Sequence, residues 1–244
     1  MKLDAFALTI AGRRTNNEDA VCARPELGLF VVCDGLGGYE GGEIASALAV
    51  ETIHDLVRRT AGDADVTWPY KIDPKRSIAE NEVVVATRLA HDRIHARRAG
   101  GLEQMGSTVT MLRFAPHDKV VVGNVGDSRA YRLRGGEITQ LTADHSLLNQ
   151  MIAAGMQPDS AFPWRHVITR ALGLNEAMAD VHSERVHAGD VYLLCSDGLY
   201  EPLEPEEIAA HLDVSPELAC KKLLDAAYAA GSTDNISAVV VRAC

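Results

Sequence analysis

The sequence predicts an α+β fold in which helices cover one or both outer faces of packed antiparallel sheets. Three observations carry this. The inferred elements run strand, strand, two helices, four strands, helix, strand, helices, strand, which is not the regular alternation of a doubly wound sheet. GLFVVCD (28–34) and DVYLLCSD (190–197) are continuous apolar runs, as expected of strands covered on both faces. The stretch 107–142 sets four segments rich in β-branched residues between short turns, the signature of antiparallel hairpins.

In chain order, LDAFALTIA (3–11) alternates imperfectly and predicts an edge strand, followed by the polar turn GRRTNNED. The strand at 28–34 ends in Asp34. An amphipathic helix over roughly 43–59 follows, with Ala45, Leu48, Ala49, Thr52, Ile53 and Leu56 repeating at three and four. Residues 61–78 carry two prolines and scattered charges and predict a loop. A second helix, about 79–99, aligns Val83, Ala86, Ala90 and Ile94. Strands are expected at 107–114, 119–126, 128–134 and 137–142, joined by Ala115-Pro116-His117-Asp118 and Gly135-Gly136. A helix after Asp144-His145-Ser146 stops near Gly155, and 156–166 is irregular. The strand 190–197 precedes two helices, one opened by Pro205-Glu206-Glu207 and one capped by Ser215. NISAVVVRA (235–243) closes the chain. Without a linker between self-sufficient halves, one domain is expected.

The balance of 34 acids against 24 bases, net −10, leaves no Lys/Arg block to neutralise a phosphate backbone. RLRGG (132–136) is short and turn-like, so a nucleic-acid binder is not expected. No apolar run reaches 18 residues and Met1-Lys2-Leu3-Asp4 begins no signal peptide, which predicts no membrane association. Cys22, Cys33, Cys195, Cys220 and Cys244 form an odd set without Cys-x-x-Cys spacing. They read as small buried residues, Cys244 as exposed, in a reducing cytoplasm.

Acids stand where the chain changes direction: Asp34, Asp127 and Asp197 after mostly apolar strands, Asp234 before one, and Glu18-Asp19 beside the first. A lone aspartate there is a turn or cap residue. A repeated one implies a carboxylate cluster, which is costly unless cations neutralise it. Oxygen-only ligation favours Mg²⁺ or Mn²⁺ over zinc. More than four carboxylates suit two ions sharing a bridging ligand, an arrangement adapted to phosphoryl transfer. The glycines of FVVCDGLGGYEGG (30–42) lack the Gly-Lys-Ser/Thr ending of a phosphate-binding loop, and Asp34 would repel a dinucleotide pyrophosphate. They are expected instead to permit unusual φ/ψ and let a backbone carbonyl approach a metal, with Gly41-Gly42 opening the helix.

RTNNEDA (14–20), VCDGLGG (32–38), GSTVT (106–110), VGNVGDSRAYRLRGGEITQLTADHS (122–146), ITRALG (168–173), LLCSDGLYE (193–201) and TDNISAVVV (233–241) then stand in one order. In that order the chain resembles the metal-dependent serine/threonine protein phosphatases of the PP2C, or PPM, family, particularly compact bacterial members. The resemblance implies a four-layer α-β-β-α sandwich, two central antiparallel sheets flanked by helix pairs. It implies one catalytic domain over 1–244, with a flap at about 147–166 in which Pro158, Pro163 and Trp164 would meet substrate.

By resemblance, Asp34 bridges two ions and the Gly35 carbonyl reaches one of them. Asp197 and Asp234 complete one shell, Glu18 serves the other, and Asp19 orients waters. Arg14 grips the phosphoryl group. Water attacks in line without a phosphoenzyme, and the chain offers neither a nucleophile elbow nor a Cys-x5-Arg loop. Asp127 resembles a ligand to a third, weaker ion whose usual aspartate partner is here Glu201. Some relatives place a histidine general acid where this chain has Leu36, so the proton donor is left without a name. His145 is expected to be structural, His166 and His182 to lie at the surface or behind the ligands, Asn235 to support Asp234, and Thr108 and Ser128 to pack or turn.

The implied function is hydrolysis of phosphoserine and phosphothreonine in proteins phosphorylated by a bacterial serine/threonine kinase. A degenerate phosphoprotein-binding module and a hydrolase of small phosphate esters are the alternatives. A monomer is expected, and TWPYKIDP (67–74) faintly resembles stand-alone phosphatases linked to type VI secretion.

Overall fold

The computed structural model describes residues 1–37, 41–62, 66–159, 162–174 and 177–244. Gly38, Tyr39 and Glu40 of the glycine stretch, 63–65 of the predicted loop and 160–161 of the flap segment therefore lie outside the described residues.

The elements are β1 (Leu3–Ile10), β2 (Ala20–Arg24), β3 (Leu29–Cys33), β4 (Gly35–Leu36), α1 (Gly41–Gly62) and α2 (Ile78–Arg97). Next come β5 (Gly106–Ser107), β6 (Val109–Ala115), β7 (Lys119–Val125), β8 (Arg129–Arg134), β9 (Glu137–Gln140) and α3 (Leu147–Ala153). The chain ends with β10 (Asp180–Arg185), β11 (Val191–Cys195), α4 (Asp197–Tyr200), α5 (Pro205–Leu212), α6 (Pro216–Ala229) and β12 (Ile236–Ala243). Two five-stranded sheets, β1-β12-β11-β8-β9 and β10-β7-β6-β3-β2, are antiparallel throughout.

The apolar runs are continuous because their strands have no wet face. In β3, Leu29, Val31 and Cys33 face α1 and α2, while Phe30 and Val32 face the other sheet. In β11, Val191, Leu193 and Cys195 pack with α5 and α6, and Tyr192 and Leu194 fill the space between sheets. Phe114 joins the sheets there, edge-on to both Phe30 and Tyr192, with centroids 5.6 and 5.5 Å away. Three apolar layers thus separate four layers of secondary structure, as the resemblance implied. Cys22, Cys33, Cys195 and Cys220 are buried free thiols and Cys244 is exposed. No helix among the described residues is long and apolar enough to cross a membrane.

Several boundaries differ from the sequence expectation, each for a local reason. β2 is only AVCAR, too short to show alternation, and β10 is DVHSER, a polar edge strand with no buried residue. Neither was expected. The segments expected at 119–126 and 128–134 are not hairpin partners: β7 and β8 belong to different sheets, and Gly126-Asp127-Ser128 carries the chain across. The strand expected to reach 197 stops at Cys195, and Asp197 opens α4. Ser215 occupies the N-cap of α6 without a side-chain hydrogen bond, whereas Ser77 and Glu80 close a capping box at the start of α2.

Register brings the acids to one end of the sandwich. Cys195 pairs with Arg129, so Asp197 and Asp127 leave the first sheet side by side. Ala20 pairs with Cys33, so Asp19 and Asp34 do the same in the second.

Candidate active site

Asp34 owes its aim to backbone bonds rather than to its side chain. Its N–H donates to Thr108 Oγ1 (2.9 Å), and its C=O accepts from the Thr108 N–H (2.8 Å) and Ser107 Oγ (3.0 Å). Thr108 Oγ1 also meets Ser128 Oγ at 2.8 Å, which couples the Asp34 turn to the sheet-crossing turn at Asp127. Thr108 and Ser128 thus clamp the site, where packing or turn roles were expected.

The turn packs against the loop before β2 and the start of α1. The Gly35 N–H donates to the Glu18 carbonyl at 3.1 Å. A Cβ at Gly35 would overlap the Gly42 and Glu18 carbonyl oxygens, and one at Gly42 would overlap the Glu18 carboxylate. Crowding, not positive φ, requires glycine at both positions. Gly37 alone of the described glycines between 35 and 42 has positive φ, +133°.

A cavity of about 490 Å³ is lined by Arg14, Glu18, Asp34, Gly35, Leu36, Asp127, His166, Asp197 and Asp234, among others. All the acids marked in the sequence reach it except two. Asp19 stands behind it, its Oδ2 accepting from Ser196 Oγ (2.8 Å) and Ser237 Oγ (2.6 Å). Glu201 faces an adjoining cavity of about 360 Å³, which shares Asp127 and His166. Its carboxylate is held by His166 Nδ1 at 2.6 Å. His166 is exposed, as expected, and stands on both cavity walls, a position that its irregular stretch gave no pattern to foresee. Asn235 supports Asp234 as expected, its backbone N–H donating to Asp234 Oδ1 at 2.8 Å, and it does more. Its side chain accepts from the Glu18 N–H (2.8 Å) and donates to Asn16 (2.8 Å) and Ala11 (3.1 Å), so it shapes the Glu18 loop. A larger cavity between α2 and β10 contains none of these acids.

Electrostatically the site is a concentration of like charge. Burial, then Asp19, Asp197, Asp127 and Asp234, raises the Asp34 pKa well above the carboxylate range. Asp197 is pushed to about 8 by burial and then by Asp127, Glu201, Asp234 and Asp19. Burial takes Asp19 and Asp127 to about 6 each and also raises Glu18, which Arg14 opposes. Arg14 supplies one counter-charge, donating from Nη2 to Asp234 Oδ2 at 2.7 Å and from Nε to the Thr233 carbonyl at 3.2 Å.

Two buried carboxylate oxygens, Asp19 Oδ1 and Asp127 Oδ1, have no hydrogen-bond partner. Orphaned anionic oxygens in an all-oxygen donor set fit a hard divalent cation. The side chains face one space without closing on it: among the described residues no three His, Cys, Asp or Glu groups are drawn to metal-ligand spacing.

The raised pKa values fix a stability signature. Between the ordinary aspartate value of 3.8 and about 8, folded Asp197 retains a proton that the unfolded chain has released. The unfolded state then binds fewer protons, so unfolding free energy falls as pH rises through that window. Calorimetry of metal-stripped protein should show Tm falling by several degrees from about pH 5 to 8, with Mn²⁺ restoring it; a flat or rising Tm would contradict the clustering.

The family profile described as Protein phosphatase 2C matches residues 11–222. The serine/threonine protein phosphatase PstP of Mycobacterium tuberculosis is 34% identical over 232 residues, 93% of this chain, which spans 42% of that protein's length. Protein phosphatase PhpP of Streptococcus pneumoniae is 31% identical over 251 residues, covering 98% of this chain and 97% of its own. Among solved structures, the M. tuberculosis PstP/Ppp phosphatase superposes with a TM-score of 0.86 at 31% identity, covering 100% of this chain and 99% of that one. A PstP catalytic domain in complex with two manganese ions gives 0.83 at 32% identity, with 98% and 97% covered. PppA, a regulatory component of the type VI secretion system of Pseudomonas aeruginosa, gives 0.82 at 30% identity, with 100% and 99% covered.

Proposed function

The chain belongs to the protein phosphatase 2C family, and on that premise we propose that it is a Mn²⁺- or Mg²⁺-dependent phosphatase of phosphoserine and phosphothreonine in proteins. The observation that carries this is the convergence of mutually repelling carboxylates, with orphaned oxygens, on one cavity that also presents an arginine.

Asp34 would hold both core ions, with the Gly35 carbonyl beside it. Asp197 and Asp234 would hold one and Glu18 the other, with Asp19 ordering water behind them. Asp127 and Glu201 would hold a third, weaker ion, for which Glu201 must give up His166. When bound, the ions supply Lewis acidity that activates water and offsets phosphoryl charge. The reaction is a direct in-line displacement: a water oxygen–phosphorus bond forms and the bond to the Ser or Thr oxygen breaks, without a phosphoenzyme. Among the described residues lining the cavity there is no serine or cysteine, which supports that course. Leu36, on the cavity wall, has no proton to give the leaving alkoxide.

Arg14 would present a planar guanidinium to two phosphoryl oxygens. Steady-state kinetics at saturating Mn²⁺ should show Arg14→Ala raising KM for a phosphothreonine peptide by roughly tenfold or more, and Arg14→Lys recovering only part of it. An unchanged KM would remove Arg14 from substrate binding.

The substrates would be phosphoproteins made by a bacterial serine/threonine kinase. The likeness to PppA and the TWPYKIDP stretch support a link to type VI secretion, and the flap around Trp164, 60% exposed beside Phe162, would meet those substrates. The deciding experiment is release of inorganic phosphate, with and without Mn²⁺, from phosphothreonine peptides and from nucleotides. Metal-dependent turnover favouring peptides supports the proposal. Turnover of nucleotides alone moves it to small phosphate esters, and none at all to a binding module.

A further inference from the structure

His145 lies outside the catalytic cavity and is the one buried histidine among the described residues. It is 7% exposed. Its Nδ1 accepts the Gly126 N–H at 3.1 Å, and its own backbone N–H donates to the Gly126 carbonyl at 2.9 Å. Both polar groups of Gly126, the residue before Asp127, are thus bonded to one residue; Asn124 Nδ2 also donates to the carbonyl, at 3.1 Å, but the N–H is held by His145.

An amide nitrogen can only donate, so Nδ1 must be unprotonated and the ring proton sits on Nε2. There it points to Asp180 Oδ2, 3.2 Å away, at the start of β10. Arg170 Nη1 also lies 3.2 Å from Nε2, but two donors face each other there; its real partner is Asp180 Oδ1 at 2.9 Å. Asp180 therefore fixes the tautomer and Arg170 fixes Asp180. Burial, the largest influence, lowers the His145 pKa, in keeping with a neutral ring.

Gly126 needs this support because its conformation is demanding. Its φ is +104°, and a Cβ there would strike Thr108. The turn crosses between sheets with no ladder partner of its own, and the next carboxylate has Oδ1 unpartnered.

We propose that His145 is a positioning residue for Asp127: its ring, anchored by Asp180, holds the Gly126 amide and so sets the direction of the Asp127 carboxylate toward a divalent cation. This rests on the metal reading of the cavity. Groups standing behind a ligand typically tune metal affinity by about 10–100-fold.

The test is calorimetric Mn²⁺ binding to the metal-stripped full chain, alongside the Mn²⁺ half-saturation of phosphate release and Tm. His145→Ala should weaken the weakest Mn²⁺ binding step roughly tenfold. His145→Asn, whose Oδ1 can replace Nδ1 as acceptor for Gly126, should recover most of it. Asp180→Ala should shift Mn²⁺ affinity in the same direction by less. Val83→Ala, a core truncation in α2, should lower Tm without changing Mn²⁺ affinity. Wild-type Mn²⁺ affinity in His145→Ala, an Asn variant no better than Ala, or an equal loss in Val83→Ala would each overturn the proposal. Should His145→Ala fail to fold, the Asn and Asp180→Ala variants decide it. A wild-type chain that binds no Mn²⁺ overturns the metal reading and this proposal together, whereas normal wild-type binding with no effect of His145 overturns this proposal alone.

Discussion

Asp34→Asn should reduce Mn²⁺-dependent phosphate release by on the order of 10³-fold or more while raising the Tm of the metal-free protein. The two effects have one cause. Asp34 stands among four other aspartates that oppose its ionisation, and the folded state sustains that repulsion because the backbone of Asp34 is bonded to Ser107 and Thr108 whatever the side chain. An amide of the same shape keeps the turn and removes the cost of keeping protonated, in the folded state, a carboxyl that ionises freely once unfolded. Each kcal/mol so relieved is worth about 2–4 °C in a chain of this size. With saturating Mn²⁺ the order should invert, because the wild-type protein gains binding free energy that the variant loses. Scanning calorimetry with and without Mn²⁺ measures both. A metal-free Asn variant that melts lower than wild type, or retains activity, would remove Asp34 from the centre of the cluster.

Gly35→Ala should be nearly as damaging by a steric route. The added methyl would meet two backbone oxygens, those of Gly42 and Glu18, and neither can rotate away as a side chain could. Relief requires the start of α1 or the Glu18 loop to move, at a cost of about 1–3 kcal/mol for overpacking. Movement of the loop draws Glu18 away from Asp34, and movement of α1 removes the Gly42 backbone that packs on the Glu18 carboxylate, so activity should fall with stability, and extra Mn²⁺ should recover little. Urea unfolding and Mn²⁺ titration of activity read the two effects. A variant within about 1 °C of wild type with full turnover would show that the close approach is not needed.

What the sequence revealed, and what it hid, divides along the range of the interactions. Strands buried on both faces and acids at their ends are local patterns, so β3, β11, β12 and Asp34, Asp127 and Asp234 could be placed from residue type and spacing. The seven motifs added the four-layer order. The devices that aim those acids were not legible. Thr108 grips Asp34 across 74 residues, and Asp19 is held by Ser196 and Ser237 from 177 and 218 residues away. A serine or threonine in a strand carries no mark of such a partner. β10 was missed because a solvated edge strand needs no apolar alternation, and with it went Asp180, the anchor of His145. Glycine gave a half-correct signal. It marked a tight place, but the reason at Gly35 is the Gly42 and Glu18 carbonyls, and at Gly42 the Glu18 carboxylate, rather than a backbone angle.

The most direct test of the carboxylate cluster as a metal centre is calorimetric titration of Mn²⁺ into the metal-stripped full chain, wild type against Asp197→Asn. Two ions bound with higher affinity than any further ion, at least one of them lost in the variant, is the expected result. A titration without specific heat, or one that Asp197→Asn leaves unchanged, would contradict it.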